Sequence, residues 1–257
     1  MRVTGHQPNY LPYIGFFHKI ATADVYVIVD NTQFVKRGPF GWIHRNRIRT
    51  DAPEGWSWLT VPVLTKGKFS QSIGETKIDN GLAWQRKHLK SIEWHYRKAP
   101  YFDLYMRFFR SILEKKWETL SDLTTTLIRG IIDLLDLQVK VLVGSELGIT
   151  GKGTGLVVDL CRKTGATTYV SGMHGRDYLD ESAFAAAGVR LEYQQFAHPV
   201  YRQVYADKFV PNLSILDLLM NEGPGSRTTM LTPATALSPG MAGEEKQDTC
   251  MVDDQDP

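Results

Sequence analysis

Cysteine is almost missing from this chain: Cys161 and Cys250 are the only two in 257 residues. They lie far apart and neither has a partner at metal-ligand spacing, which argues against a disulfide framework or a cysteine-based zinc site. Cys161 sits in the apolar run LVVDLCRKTGA and is expected to be a plain buried thiol. Long apolar runs are also lacking. No stretch reaches the ~20 residues that span a bilayer, and the opening MRVTGHQPNY has no apolar signal core. The expectation is a soluble, cytoplasmic protein without a membrane partner. Charge of one sign is scarce too: 30 basic residues against 28 acidic ones leave a net charge of +2. That is too small for a non-specific nucleic-acid binder. No HExxH, GxSxG or GxGxxG after the first strand occurs, which argues against zincins, serine hydrolases and dinucleotide dehydrogenases. No metal site is expected.

A hydrophobic content of 42% with 23% charged residues is enough for a sizeable core. Residues 2–5 form a short strand, followed by the proline-punctuated loop HQPNYLP. Pro12 suits the first turn of a helix over YIGFFHKIATA. The unbroken β-branched run VYVIV then predicts a strand buried on both faces, as in a parallel sheet. The glycine-, arginine- and aromatic-rich stretch after it reads as a long loop or short hairpin leading into WLTVPV. Residues 84–98, 103–117 and 120–135 show the three-and-four spacing of amphipathic helices. Strands and helices then alternate again: QVKVLVGSEL, GLVVDLCRKTG, TTYVSG, VRLEYQQF and NLSILDLLMNEG.

The fold class is therefore α/β: a doubly wound, mostly parallel, Rossmann-like sheet with a helical insertion. Residues 1–80 and 137–227 supply the two parts of the core, residues 81–136 the helical segment, and the aperiodic residues 228–257 a disordered tail.

Ligands bind such sheets at the carboxyl ends of the strands. His6, Gln7, Asn9 and Tyr10 follow the first strand in a loop stiffened by prolines, and Gly15 removes a side chain where a phosphate or base would approach. Asp30, Gln33, Lys36, Arg45, Asn46 and Arg47 follow the second strand, with cations suited to phosphate or carboxylate. Arginine interleaved with Phe34, Phe40 and Trp42 would also suit single-stranded RNA, the weaker reading because the basic run is short. Ser171 and Gly172 end a later strand and lead into His174, Arg176 and Asp177. His198, Tyr201 and Gln203 follow the last strand. Each set has a plain alternative, as local backbone support or solvated charge.

HQPNYLPYIGFFHKI, the Asp30-to-Lys36 segment, RNRI, YVSG…YLD, HPVYRQ and LSILDLLMNEG occur in this order between Val3 and Gly223. Together they resemble the WbqC-like family, associated with bacterial O-antigen, polysaccharide and natural-product gene clusters. The resemblance implies a biosynthetic enzyme acting on a sugar or small metabolite. More distantly, the opening is similar to pantothenate synthetase and other HIGH-type nucleotidyltransferases, which implies ATP, with magnesium, as co-substrate. Tyr13 and Phe16 stand where those enzymes carry histidines, so His6 or His18 would have to substitute, and no KMSKS-type lysine loop is present. On this reading the chain is a transferase or ligase whose catalytic groups are His6, Lys36 and His174. His6 would stabilise phosphate charge or act as acid–base, Gln7, Asn9 and Tyr10 would orient substrate, and Lys36 and Arg45 would neutralise phosphates. The expected partner is a small molecule such as a nucleotide-sugar. The alternatives are a non-catalytic nucleotide- or sugar-binding protein and a tRNA-dependent aminoacyl transferase.

Overall fold

A computed structural model describes residues 1–36, 43–205 and 208–232. Strand β1 (Arg2–His6) ends where Pro8 cannot donate to a ladder, and helix α1 (Ile14–Ala21) begins just after Pro12. Strand β2 (Val25–Ile28) is buried along its whole length, as its apolar run predicts. The chain then leaves the sheet for an antiparallel hairpin, β3 (Arg45–Arg49) and β4 (Trp56–Thr60), which realises the loop-or-hairpin reading. Helices α2 (Trp84–Tyr96), α3 (Phe102–Leu113) and α4 (Leu120–Leu134) follow within a few residues of the expected bounds. The core resumes with β5 (Lys140–Val143), α5 (Gly153–Thr164), β6 (Thr168–Ser171), α6 (Glu181–Ala186) and β7 (Arg190–Tyr193). Helices α7 (Ile215–Glu222) and α8 (Ser226–Leu231) close the described chain. Helix α8 corrects one expectation, because residues 228–231 are helical and Met230 is buried. Residues 233–257 of the expected tail, like Phe40 and Trp42, lie outside the described residues.

The main sheet is entirely parallel, in the order β5-β2-β1-β6-β7. Apolar residues cover both faces. Val3, Val27, Leu160, Cys161 and Phe184 belong to a core on the side of α5 and α6. Ile14, Phe17, Tyr26, Ile92, Phe109, Leu127 and Leu219 belong to a larger core that joins α1 and α7 to the inserted helices. The helical segment thus shares its hydrophobic core with the sheet. Both faces are covered, as the doubly wound reading requires. The sequential order reverses between β1 and β6, so the switch point lies at their carboxyl ends.

Candidate functional site

At the switch point the two central strands part. The β1–β2 ladder runs to His6↔Ile28, whereas the β1–β6 ladder has only Arg2↔Thr168 and Val3↔Tyr169. Beyond it, side chains bridge the gap. Thr4 Oγ1 donates to the Val170 carbonyl at 2.7 Å, and the Gly5 carbonyl accepts from Lys19 Nζ at 3.2 Å and from the Tyr169 hydroxyl at 3.5 Å.

His6 ends β1 half-buried, with its ring edge-on to Phe16. Its Nδ1 lies 3.0 Å from the Gln7 carbonyl. Only a protonated nitrogen can make that contact, so Nδ1 carries the proton and Nε2 a free lone pair when the ring is neutral. Burial, then the Lys19 ammonium, pushes the pKa down to about 3 against the opposing pull of the Gln7 carbonyl. His6 is therefore a neutral acceptor at ordinary pH.

On the same side of the sheet, Gln194 Nε2 donates to the Gly15 carbonyl at 2.8 Å and reaches His18 Nδ1 at 3.0 Å. Burial lowers the His18 pKa. His18 borders a groove of about 610 Å³ with Met173, Arg176, Gln195, Phe196 and Leu231 along its walls. The Arg176 guanidinium lies 4.8 Å over the Tyr193 ring. One cation on an otherwise largely apolar, methionine-bearing wall suits a ligand with an anionic group and an adaptable apolar contact.

Other expected site residues have different work. The Gly15 position is free of a side chain, but the Tyr13 ring fills the space: an added Cβ would stand 2.5 Å from it. The first turn of α1 is buried, and its entry is closed by the Tyr13↔Ser214 bridge. A phosphate approaching Gly15, as the sequence suggests, would meet the Tyr13 ring first. The Tyr10 hydroxyl is buried against His88 Nδ1 at 2.9 Å, and Asn46 Nδ2 donates to the Leu11 carbonyl at 2.6 Å. These two hold the loop. Asn9 is half-buried in it, and Gln7 Nε2 donates to Thr32 Oγ1 at 2.9 Å. The Asp30 carboxylate accepts from the Ser145 amide at 2.9 Å and its hydroxyl at 2.6 Å, fastening β2 to the loop after β5. Gln33 donates to the Phe69 carbonyl at 2.7 Å.

Lys36 donates to Thr65 Oγ1 at 3.3 Å, and the Arg45 guanidinium stacks 4.3 Å over Trp58. After burial, Arg45 and then Lys36 are what lower the pKa of His44, to about 4. These cations thus act on His44, while the cation acting on His6 is Lys19. Ser171 is packed under the 3-10 turn Met173–Asp177, its hydroxyl donating to the Gly172 carbonyl at 3.1 Å. His174 is 89% exposed, its Nδ1 3.6 Å from the Asp177 carboxylate. Both His198 nitrogens are occupied, by the Pro199 carbonyl at 2.8 Å and the Asn212 amide at 3.1 Å. Tyr201 and Gln203 donate to the buried Asp217 carboxylate, each at 2.8 Å. All three belong to the packing of the last segment, which corrects their assignment to the binding edge.

Sequence reasoning missed Lys19 and Gln194. Lys19 follows Phe16 by three positions, on the buried stripe of α1, and a cation at a core-facing position is a readable signal. Gln194 carries no comparable mark. Among the described residues no helix is long and apolar enough to cross a membrane.

Relatives place the chain in a family. "Uncharacterized protein Rv1507c" of Mycobacterium tuberculosis (strain ATCC 25618 / H37Rv) is 36% identical over 219 residues, covering 84% of this chain and 92% of that protein. No solved structure matches the chain. The profile of the WbqC-like protein family matches residues 7–229, a span that holds α1, every strand of the main sheet except β1, and most of the groove's lining, and the chain belongs to that family.

Proposed function

We propose that this protein is a biosynthetic transferase or ATP-dependent ligase that modifies a nucleotide-linked amino sugar or a related small metabolite in polysaccharide, O-antigen or natural-product assembly. The reaction takes place at the carboxyl edge between β1 and β6. The observation that carries this reading is the parting of those strands beside the Nε2 lone pair of His6. A neutral imidazole there accepts a hydrogen bond from a hydroxyl or amine of the acceptor and orients it. The groove beside His18 holds the body of the substrate, with Arg176 on an anionic group. ATP, with magnesium, supplies acyl or nucleotidyl activation.

A second reading, binding without catalysis, is favoured by the sealed first turn of α1, since HIGH-type enzymes place ATP against that helix. Calorimetry with ATP, CTP and UDP-N-acetylglucosamine, followed by product analysis of the mixtures, separates the two. The proposal expects saturable binding and a new product. Binding with no product in any mixture supports the second reading, and no binding at all removes both.

A further inference from the structure

Lys19 is 4% exposed. Its ammonium has three N–H donors, yet the Gly5 carbonyl is its one hydrogen-bond acceptor, and no carboxylate pairs with it among the described residues. Buried cations are normally matched by counter-charge, because desolvation is otherwise uncompensated. Helical side chains lean toward their own N-terminus. That carries the amine of Lys19 toward the carboxyl edge, where β1 has parted from β6. The groups around it are His6 from β1, Tyr26 from β2, whose hydroxyl donates to the His6 carbonyl at 3.4 Å, and Tyr169 from β6.

We infer that Lys19 is the seat for an oxyanion of the substrate, a phosphate or a carboxylate, at the carboxyl edge where β1 and β6 part. The inference rests on the proposed reading of that edge as the substrate site. The ligand supplies the missing counter-charge and fills the two remaining donors. His6 accepts from the same ligand through Nε2.

Calorimetric titration of the full chain and of Lys19→Gln with UDP-N-acetylglucosamine (phosphate, no carboxylate) and glucuronate (carboxylate, no phosphate) tests this. The wild type is expected to bind one of them, and Lys19→Gln to bind it about ten- to a hundredfold more weakly, as for a lost charged hydrogen bond. The probe that responds identifies the oxyanion. Burial brings the Lys19 pKa down to about 7, while the pKa values of His6 and His18 lie below 6.5 and those of Tyr26 and Tyr169 above 10. Wild-type affinity should therefore be higher at pH 6 than at pH 9, a comparison that stands even if the variant does not fold. Equal binding by a folded variant, equal affinity at the two pH values, or no binding of either probe at pH 6 overturns the inference. A probe that loses affinity in His6→Ala but not in Lys19→Gln leaves the site reading in place and removes Lys19 from it.

Discussion

Replacing Asp217 by alanine is expected to cost about 2–5 kcal/mol of folding stability at pH 4.5, the loss typical of orphaning two or three buried donors. The donors are the hydroxyls of Tyr96 at 2.9 Å and Tyr201 at 2.8 Å, and Gln203 Nε2 at 2.8 Å. Together they tie α2, the segment before α7 and α7 itself into one knot. Tyr96 also accepts the Arg49 amide at 2.8 Å, which brings in β3.

The cost should shrink at higher pH. Burial outweighs the three donated bonds and raises the Asp217 pKa from 3.8 to about 6. A carboxyl raised in the folded state contributes stability that is full below pH 3.8 and is lost as pH rises through 6. The pH-dependent part is on the order of 3 kcal/mol, for a rise of about two pKa units. Urea unfolding of wild type and Asp217→Ala at pH 4.5 and pH 8 checks this. The same cost at both values would show that the carboxyl titrates alike in the folded and unfolded chain.

His6→Ala should lower turnover up to about tenfold, as for the loss of one neutral hydrogen bond that orients the acceptor, while the melting temperature moves by only a few degrees. The ring is half-buried, and its bond to the Gln7 carbonyl lies within its own loop. With a pKa near 3, His6 is already deprotonated throughout pH 5–8. The wild-type rate should therefore show no rise near pH 6.5 assignable to this imidazole. Residual activity in His6→Ala accompanied by a large loss of stability would assign the residue to packing.

The frame of the molecule was legible because it is written in periodicity. The unbroken β-branched VYVIV became a strand buried on both faces, and the three-and-four spacing after residue 84 became α2 to α4. His6 was legible for the same reason, since a strand's end locates its last side chain. Tyr10, Asn46, Tyr201 and Gln203 looked like site residues because they are polar and loop-borne. What decides their role is a partner remote in sequence, such as His88 for Tyr10 or Asp217 for Tyr201, and no local pattern encodes that. Gly15 failed differently. Its missing side chain was legible, but not the Tyr13 ring that occupies the space. Lys36 and Arg45 were grouped with His6, but the cations act on His44, the residue just before β3, which no local pattern encodes.

The central claim is that substrate enters on the α1 side of the sheet where β1 and β6 part. Chemical-shift mapping of the labelled full chain during titration with UDP-N-acetylglucosamine addresses it most directly. The account predicts the largest changes at His6, Lys19, His18, Gln194 and Arg176. Changes centred instead on Lys36, His44 and the Arg45–Trp58 stack of the hairpin, with the β1 edge silent, would contradict it.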